Sequence, residues 1–120
     1  MRIARLYSDG SGESHFQDVE IDLTLTDYVS SSPPLKLSGK TSTTQFGFME
    51  APSTWTSDWH ASSARTMFFV LSGEWEVTAS DGESRRFGIG SALLVEDTHG
   101  KGHKSAVLSE VESVAVMIEL

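Results

Sequence analysis

His60 and His103 are the two side chains of this chain that are best suited to chemistry. They lie near the two ends of segment 58–103, in which short apolar stretches alternate with glycine-bearing turns. Because an imidazole gains or loses its proton near neutral pH, a histidine can act as an acid or as a base. A fold that brings the two histidines into one small pocket would provide an acid and base pair for proton transfer.

Residues close to the histidines could complete such a site. If the segment around His60 is a strand, alternate side chains share a face, so Asp58 and Ser62 point the same way as His60. Asp58 could then hold one imidazole in a fixed tautomer, and Arg65 or Lys101 could stabilise an enolate or a carboxylate. This chemistry fits an isomerase, lyase or cyclase step next to a carbonyl group.

The same histidines allow a second interpretation, a divalent metal site. Two histidines and one carboxylate form a facial triad that suits iron(II), and nickel, manganese or zinc are also possible. Here the ligands would be His60, His103 and a carboxylate from Asp58, Glu50 or Asp97. A metal-dependent dioxygenase is therefore the alternative to metal-free proton transfer, for which no cofactor is expected.

A third interpretation is that neither histidine does chemistry. A buried histidine often only satisfies a backbone carbonyl group, and the chain would then be a module that binds a small ligand without turning it over. His15 lies in a polar turn and His99 in a glycine-rich loop, which predicts surface positions for both.

Alternation along the strands also predicts the side chains that line the pocket. Thr66 and Phe68 continue the face that carries Ser62, and Phe46 is the aromatic candidate from the preceding strand. Aromatic walls with a few polar groups suit a small, partly apolar organic ligand.

The spacing of apolar residues predicts many short strands and no helix. Residues 16–25 alternate between apolar and polar side chains, which is the period of a half-buried strand. The Ser- and Pro-rich stretch 27–42 is expected to form a loop or a lid. Many short strands are typical of an all-β sandwich or barrel, and the length favours a single domain. Further strands are predicted at 2–7, 43–50, 55–62, 65–71, 74–79, 83–87, 91–95, 103–109 and 112–120.

Composition limits the partners. The 120 residues carry a formal net charge of −8, and an acidic surface repels phosphate backbones, so nucleic acid is not an expected partner. There are no cysteines, which excludes disulfides, iron–sulfur clusters and thiol nucleophiles. No apolar stretch approaches the ~20 residues of a membrane span, and the first residues show no secretory signal. A cytoplasmic protein without membrane contact is expected.

The glycine turns carry a resemblance to a known family. The stretch FFVLSGEWEV, followed by DGESRRFGIGSALLVED, resembles the core of the cupin superfamily over residues 43–120. Gly73, the Asp81-Gly82 turn, Gly88 and Gly90 all fall in register with that family's pattern. The resemblance implies an all-β fold, a cupin-type double-stranded β-barrel (jelly roll), in which strands from 1–42 extend a sheet or exchange with a second subunit.

The resemblance also implies a homodimer with its site inside the mouth of the barrel. The family's first motif would place histidines at positions 60 and 62 and a glutamate at position 66, and its second motif a histidine at position 103. This chain has His60 and His103 but Ser62 and Thr66, so it is similar to short cupins with a degraded metal motif and an EDT-GKGH second motif.

Overall fold

The computed structural model describes residues 1–120, which form eleven β-strands and no helix. The all-β prediction is thereby confirmed. None of the elements is a helix that could cross a lipid bilayer. The strands are β1 (Arg2–Ser8), β2 (Ser14–Glu20), β3 (Thr24–Thr26), β4 (Leu35–Leu37), β5 (Gln45–Ala51), β6 (Thr66–Ser72), β7 (Trp75–Ala79), β8 (Ser84–Phe87), β9 (Ala92–Glu96), β10 (His103–Val107) and β11 (Ser113–Glu119).

Six strands form the largest sheet, in the order β2-β1-β9-β6-β11-β5. All of its neighbouring strands are antiparallel except β1 and β9, which run parallel. The segments that form β6, β9 and β11 are apolar on both faces of the sheet, because alternate residues of each strand point to opposite sides. Both faces of this sheet therefore need a cover.

A three-stranded sheet in the order β10-β7-β8 covers one of these faces. In β7 the residues Trp75, Val77 and Ala79 are buried and alternate with half-buried residues, which is the period-2 burial of a strand that packs on one side. The two sheets share one hydrophobic core, which contains Leu6, Phe16, Val70 and Leu93 from the large sheet and Trp75, Val77, Ala79, Phe87 and Val107 from the small one.

The strand pairing does not close into a barrel. The eleven strands belong to three separate hydrogen-bonded sheets. The pairing therefore shows an all-β fold with two packed sheets. The cupin-type jelly roll stays a prediction.

The segment predicted as a loop, 27–42, contains a strand of its own. Strand β4 pairs with β3 in a two-stranded sheet that has no further strand beside it. The predicted strand 16–25 is divided between β2 and β3, because the pairing of β2 with β1 ends at Glu20. Arg2 is opposite Glu20, and the last ladder-like bond joins the Ile21 amide to the carbonyl of the first residue.

The predicted strand 55–62 is wrong. This segment lies beside β10 but makes only two isolated bridges to it, at Thr56 and His60. Between the bridges, the Ser57 hydroxyl accepts a hydrogen bond from the Ser105 amide. A short polar side chain that bonds the backbone in this way replaces a regular ladder bond, so the pattern of alternate faces does not hold here.

His15 joins the two main sheets. Its Nε2 lies 2.7 Å from Oδ2 of Asp9 in the β1–β2 turn, and its Nδ1 lies 2.9 Å from Oδ2 of Asp81 in the β7–β8 turn. The histidine predicted at the surface thus keeps only 30% of its side chain exposed. Its hydrogen bonds to Asp9 and then Asp81 raise the pKa of His15, and the bond from His15 is the main cause of the lowered pKa of Asp9.

We expect this cluster to make stability depend on pH. A raised histidine pKa contributes stability that is fully present below the unfolded value of about 6.5 and is lost as pH rises through the folded value. His15→Gln should therefore lower the melting temperature more at about pH 5.5 than at about pH 9. Thermal melts followed by circular dichroism measure the difference, and His99→Gln, in an exposed loop, is the control. An equal loss at both pH values would contradict the expectation.

Candidate functional site

A cavity of about 670 Å³ lies between the two main sheets. Two rows of side chains from the large sheet form one wall, because residues in register on neighbouring strands share a face. The first row is Val95, Thr66, Glu119 and Gln45, and the second is Leu93, Phe68, Met117 and Gly47. The other lining residues are Phe46, Met49, Trp55, His60, Ala61, Ser62, Ser63, Trp75, Val77, His103 and Ser105.

An aromatic cluster forms part of the wall of this cavity. The Trp75 ring packs edge-on against Phe68 and Trp55, with ring centroids 5.4 and 5.7 Å apart. Its Nε1 donates a 2.6 Å hydrogen bond to the Ser113 hydroxyl, so the buried indole has no unsatisfied donor. Such rings provide a large apolar contact area for a ligand.

The structure brings His60 and His103 together. Their ring centroids are 4.5 Å apart, and each backbone amide donates a 2.9 Å hydrogen bond to the other's carbonyl oxygen. Gly102, with φ of +71°, allows this approach, because a Cβ at that position would collide with the His60 carbonyl group. Both side chains line the cavity.

Asp97 bonds His103 and lies outside the cavity lining. Its carboxylate is fully buried, and its Oδ2 lies 2.6 Å from Nδ1 of His103. The other oxygen, Oδ1, is buried without a hydrogen-bond partner. A buried carboxylate with an unused acceptor is costly to maintain, and such groups are found where their charge has a task.

The hydrogen bonds set the tautomers of both imidazoles. Nδ1 of His60 lies 2.8 Å from the Asp58 carbonyl oxygen, which can only accept, so Nδ1 carries the proton. With Asp97 ionised, Nδ1 of His103 is likewise the protonated nitrogen. In the neutral state, Nε2 of each ring is therefore left as a proton acceptor.

Asp58 orients His60, but not in the way that alternation predicted. The bond comes from its backbone carbonyl group, and its side chain is exposed and lies outside the cavity lining. The predicted lining residues Ser62, Thr66 and Phe68 are at the cavity. The hydroxyls of Ser62 and Thr66 both donate to the Ala64 carbonyl oxygen.

Phe46 lies at the cavity rim, and its side chain does not fill the interior. It is 71% exposed, and its ring packs edge-on against Phe48 with centroids 6.2 Å apart. Phe46 alternates along β5 with the cavity-facing Gln45 and Gly47, so its ring belongs to the outer face of the sheet.

Arg65 and Lys101, the predicted anion partners, lie outside the cavity. Arg65 Nε bonds a Glu96 carboxylate oxygen at 2.6 Å, and Lys101 Nζ bonds Glu13 at 2.7 Å. Both side chains are more than half exposed. Each cation is therefore already paired at the surface, away from the two histidines.

The roles that two carboxylates have in the structure are not among the predictions made from the sequence. Asp97 was expected to be at the site only as a metal ligand, because nothing in the sequence distinguishes a buried aspartate from an exposed one in a glycine-rich loop. The position of Glu119 could have been predicted. Glu119 lies on the same face of β11 as Ala115 and Met117, because alternate residues of a strand share a face, and this face extends into the cavity.

The residues present do not fit the facial triad. No three histidine or carboxylate side chains are grouped closely enough to hold a metal ion. Asp97 bonds Nδ1 of His103 from the far side of the ring, and Asp58 and Glu50 are exposed and line no part of the cavity.

No protein-family model matches the chain, and no curated protein is significantly similar to it. Among solved structures, a conserved protein of unknown function from Streptococcus pyogenes is similar, with a TM-score of 0.48 and 17% identity over 69% of this chain and 68% of that one.

The two histidines should differ in their effect on stability. His103→Ala leaves the buried Asp97 carboxylate without its partner and should lower the free energy of unfolding by about 2–4 kcal/mol. His60 is exposed, so His60→Ala should cost less than about 1 kcal/mol. Urea denaturation measures both values.

A double variant tests the cause of that loss. In Asp97→Ala/His103→Ala no charge is left buried alone. The double variant should therefore lose less free energy of unfolding than the sum of the losses in Asp97→Ala and His103→Ala. Additive losses would show that the pair is not energetically coupled.

Proposed function

We propose that this chain is a small-molecule enzyme of the cupin type that catalyses metal-free proton transfer on a carbonyl-bearing compound, as an isomerase, lyase or cyclase does. The observation that carries the proposal is the buried Asp97–His103 pair, with His60 4.5 Å away by ring centroid, at the wall of a cavity. Fixed tautomers leave Nε2 of both rings free to exchange protons with a bound compound.

The simplest such reaction is an isomerisation. Nε2 of one histidine takes the proton from a carbon next to the carbonyl group, and the C–H electron pair moves to form the enolate. A proton returned to another position of the enolate gives the isomer and restores the neutral ring. His103 is the histidine better suited to take this proton, because the Asp97 carboxylate stabilises the positive charge that forms on its imidazole.

The enolate oxygen needs hydrogen-bond donors. The Ser105 hydroxyl suits this role: it lines the cavity two residues from His103 on β10 and makes no hydrogen bond within the chain. Ser105 is opposite the buried Val77 on β7, and a hydrogen bond is stronger in such a low-dielectric environment than in water.

The cupin-type jelly roll is part of the proposal. It is supported by two packed sheets around a cavity and by three glycines at turns where the family has them. Gly73, Gly82 and Gly90 have φ of +76°, +99° and +84°, a region that favours glycine over residues with a side chain.

Two alternatives are separable by experiment. A metal-dependent dioxygenase would use His60, His103 and a third ligand that no carboxylate at the cavity provides. A non-catalytic cupin that binds a small ligand would use the same cavity without proton transfer.

Deuterium wash-in tests the proposal. A panel of uncharged ketones is incubated with the protein in D₂O, and exchange next to the carbonyl group is followed by proton NMR. Wild type should accelerate exchange for a ketone that fits, and His103→Ala and His60→Ala should each lower that rate by about 100-fold or more. His99→Ala is the control that should retain the wild-type rate.

The other outcomes identify the alternatives. Bound iron, nickel, manganese or zinc at one per chain, lost in His60→Ala and accompanied by oxygen uptake, would replace the proposal with the dioxygenase. Ketone binding without any exchange would replace it with the ligand-binding module.

The proposed assembly is a homodimer, supported by the outer face of the large sheet. This face carries two apolar rows in register: Leu94, Met67, Ile118 and Phe46, then Ala92, Phe69, Val116 and Phe48. Phe46 and Phe48 are 71% and 69% exposed. Strand β5 is also an open edge of the sheet, and open apolar edges favour pairing with another chain.

The same chain supplies a segment suited to cover that face. Hairpin β3–β4 belongs to neither main sheet and exposes Leu25, Tyr28, Val29 and Leu35 at 64%, 61%, 53% and 42%. An apolar sheet face and an apolar arm on one chain support a second copy as the partner.

A charge on the outer face should prevent dimerisation. Light scattering after size exclusion should give a dimer for wild type and a monomer for Phe48→Lys, because the lysine charge would be buried in the interface. Ile89→Lys, in the exposed β8–β9 turn, should stay dimeric. A monomeric wild type at micromolar concentration would contradict the assembly.

A further inference from the structure

The cavity wall has one ionisable group besides the two histidines, the carboxylate of Glu119. No lysine or arginine side chain lines the cavity. Glu119 takes part in no ion pair, and its Oε2 accepts a 2.6 Å hydrogen bond from Gln45 Nε2. Some other carboxylates of the chain do have a cation beside them, as Glu96 has Arg5 and Arg65.

We infer that the cavity selects ligands by charge and that Glu119 is its specificity-determining residue for a protonated amine or another strong N–H donor. This inference rests on the proposed function in taking the same cavity as the ligand site. It adds a ligand class, an aromatic or apolar compound that is cationic or uncharged, and it excludes carboxylates and phosphates.

Electrostatics give the reason. A ligand anion in this cavity would meet a carboxylate and no fixed cation, inside a molecule whose formal net charge is −8. Bringing like charges together costs free energy, and the cost grows as water is excluded. A ligand ammonium instead gains an ion pair with Glu119.

The aromatic wall strengthens the same preference. Trp55, Trp75 and Phe68 line the cavity, and Trp75 packs edge-on against the other two rings. The faces of such rings attract cations, tryptophan most strongly. Uncharged aromatic compounds also pack well against these rings, whereas a carboxylate loses its hydration there without compensation.

The position of Glu119 leaves the acid and base pair free. Glu119 is on β11, in one row with Thr66 on β6 and Gln45 on β5. His103 is on β10 of the other sheet, and His60 precedes β6. The Glu119 side chain bonds Gln45 and neither histidine, so an amine held at Glu119 leaves Nε2 of both rings available.

Three compounds of one shape and different charge test the inference. Tryptamine, tryptophol and indole-3-acetate share an indole ring and carry a cation, a neutral hydroxyl and an anion. Isothermal titration calorimetry on wild type should show tryptamine binding at least about tenfold more tightly than indole-3-acetate, with tryptophol between them.

Glu119→Gln removes the charge and keeps the shape. It should bring tryptamine to the affinity of tryptophol and leave tryptophol unchanged. Glu112→Gln makes the same charge change in an exposed turn outside the cavity and should keep the wild-type order. A melting curve for each variant confirms that it is folded.

Three results would overturn the inference: equal or tighter binding of indole-3-acetate, a tryptamine preference that survives in Glu119→Gln, or no binding of tryptamine at millimolar concentration. Its failure is distinguishable from failure of the proposed function. The order of affinities does not depend on turnover, and deuterium exchange of uncharged ketones does not depend on Glu119.

Discussion

The burial of the Asp97 carboxylate is the constraint on which the site depends. A charge in the protein interior is tolerated only beside a partner, and His103 is the only side chain bonded to this one. The backbone of Asp97 has a second role, because its carbonyl oxygen accepts the Ser62 amide at 3.0 Å. One residue thus fixes the end of β9, the irregular segment that carries His60, and the start of β10.

This constraint explains why the site can be precise although part of it is not regular structure. The His60 segment has no strand ladder and is held at separate points: reciprocal backbone bonds to His103, the Ser62–Asp97 bond, and the Ser57 hydroxyl. Each bond is modest by itself. Together with the absent side chain at Gly102 they place the two imidazoles in contact.

The two faces of the six-stranded sheet divide its tasks. The inner face carries Thr66, Phe68 and Glu119 toward the cavity, and the outer face carries Phe48 and Phe69 away from it. Because alternate residues of one strand serve both faces, a substitution that shifted the register by one residue would exchange the wall of the site for the outer surface. The site and the outer surface are thus linked through the pleat of the same strands.

Much of the fold could be predicted from local patterns, and the site could be predicted only in part. Alternation and glycine turns located most strands, because period-2 burial and positive φ depend on neighbouring residues. The same rule failed at 55–62, where hydrogen bonds to β10 override the pattern. Arg65 and Lys101 were assigned to the site because they are near the histidines in sequence, but carboxylates from distant segments pair with them.

The sequence by itself determined the all-β class, the positions of the turns and the choice of the two histidines as candidate site residues. Each of these depends on residue type and short-range spacing. Only the tertiary structure decided that Asp97 is buried against His103 and that Asp58 acts through its backbone. Burial and charge pairing are properties of segments far apart in the chain. They exist only once β9, β10 and β11 have been brought to the same place.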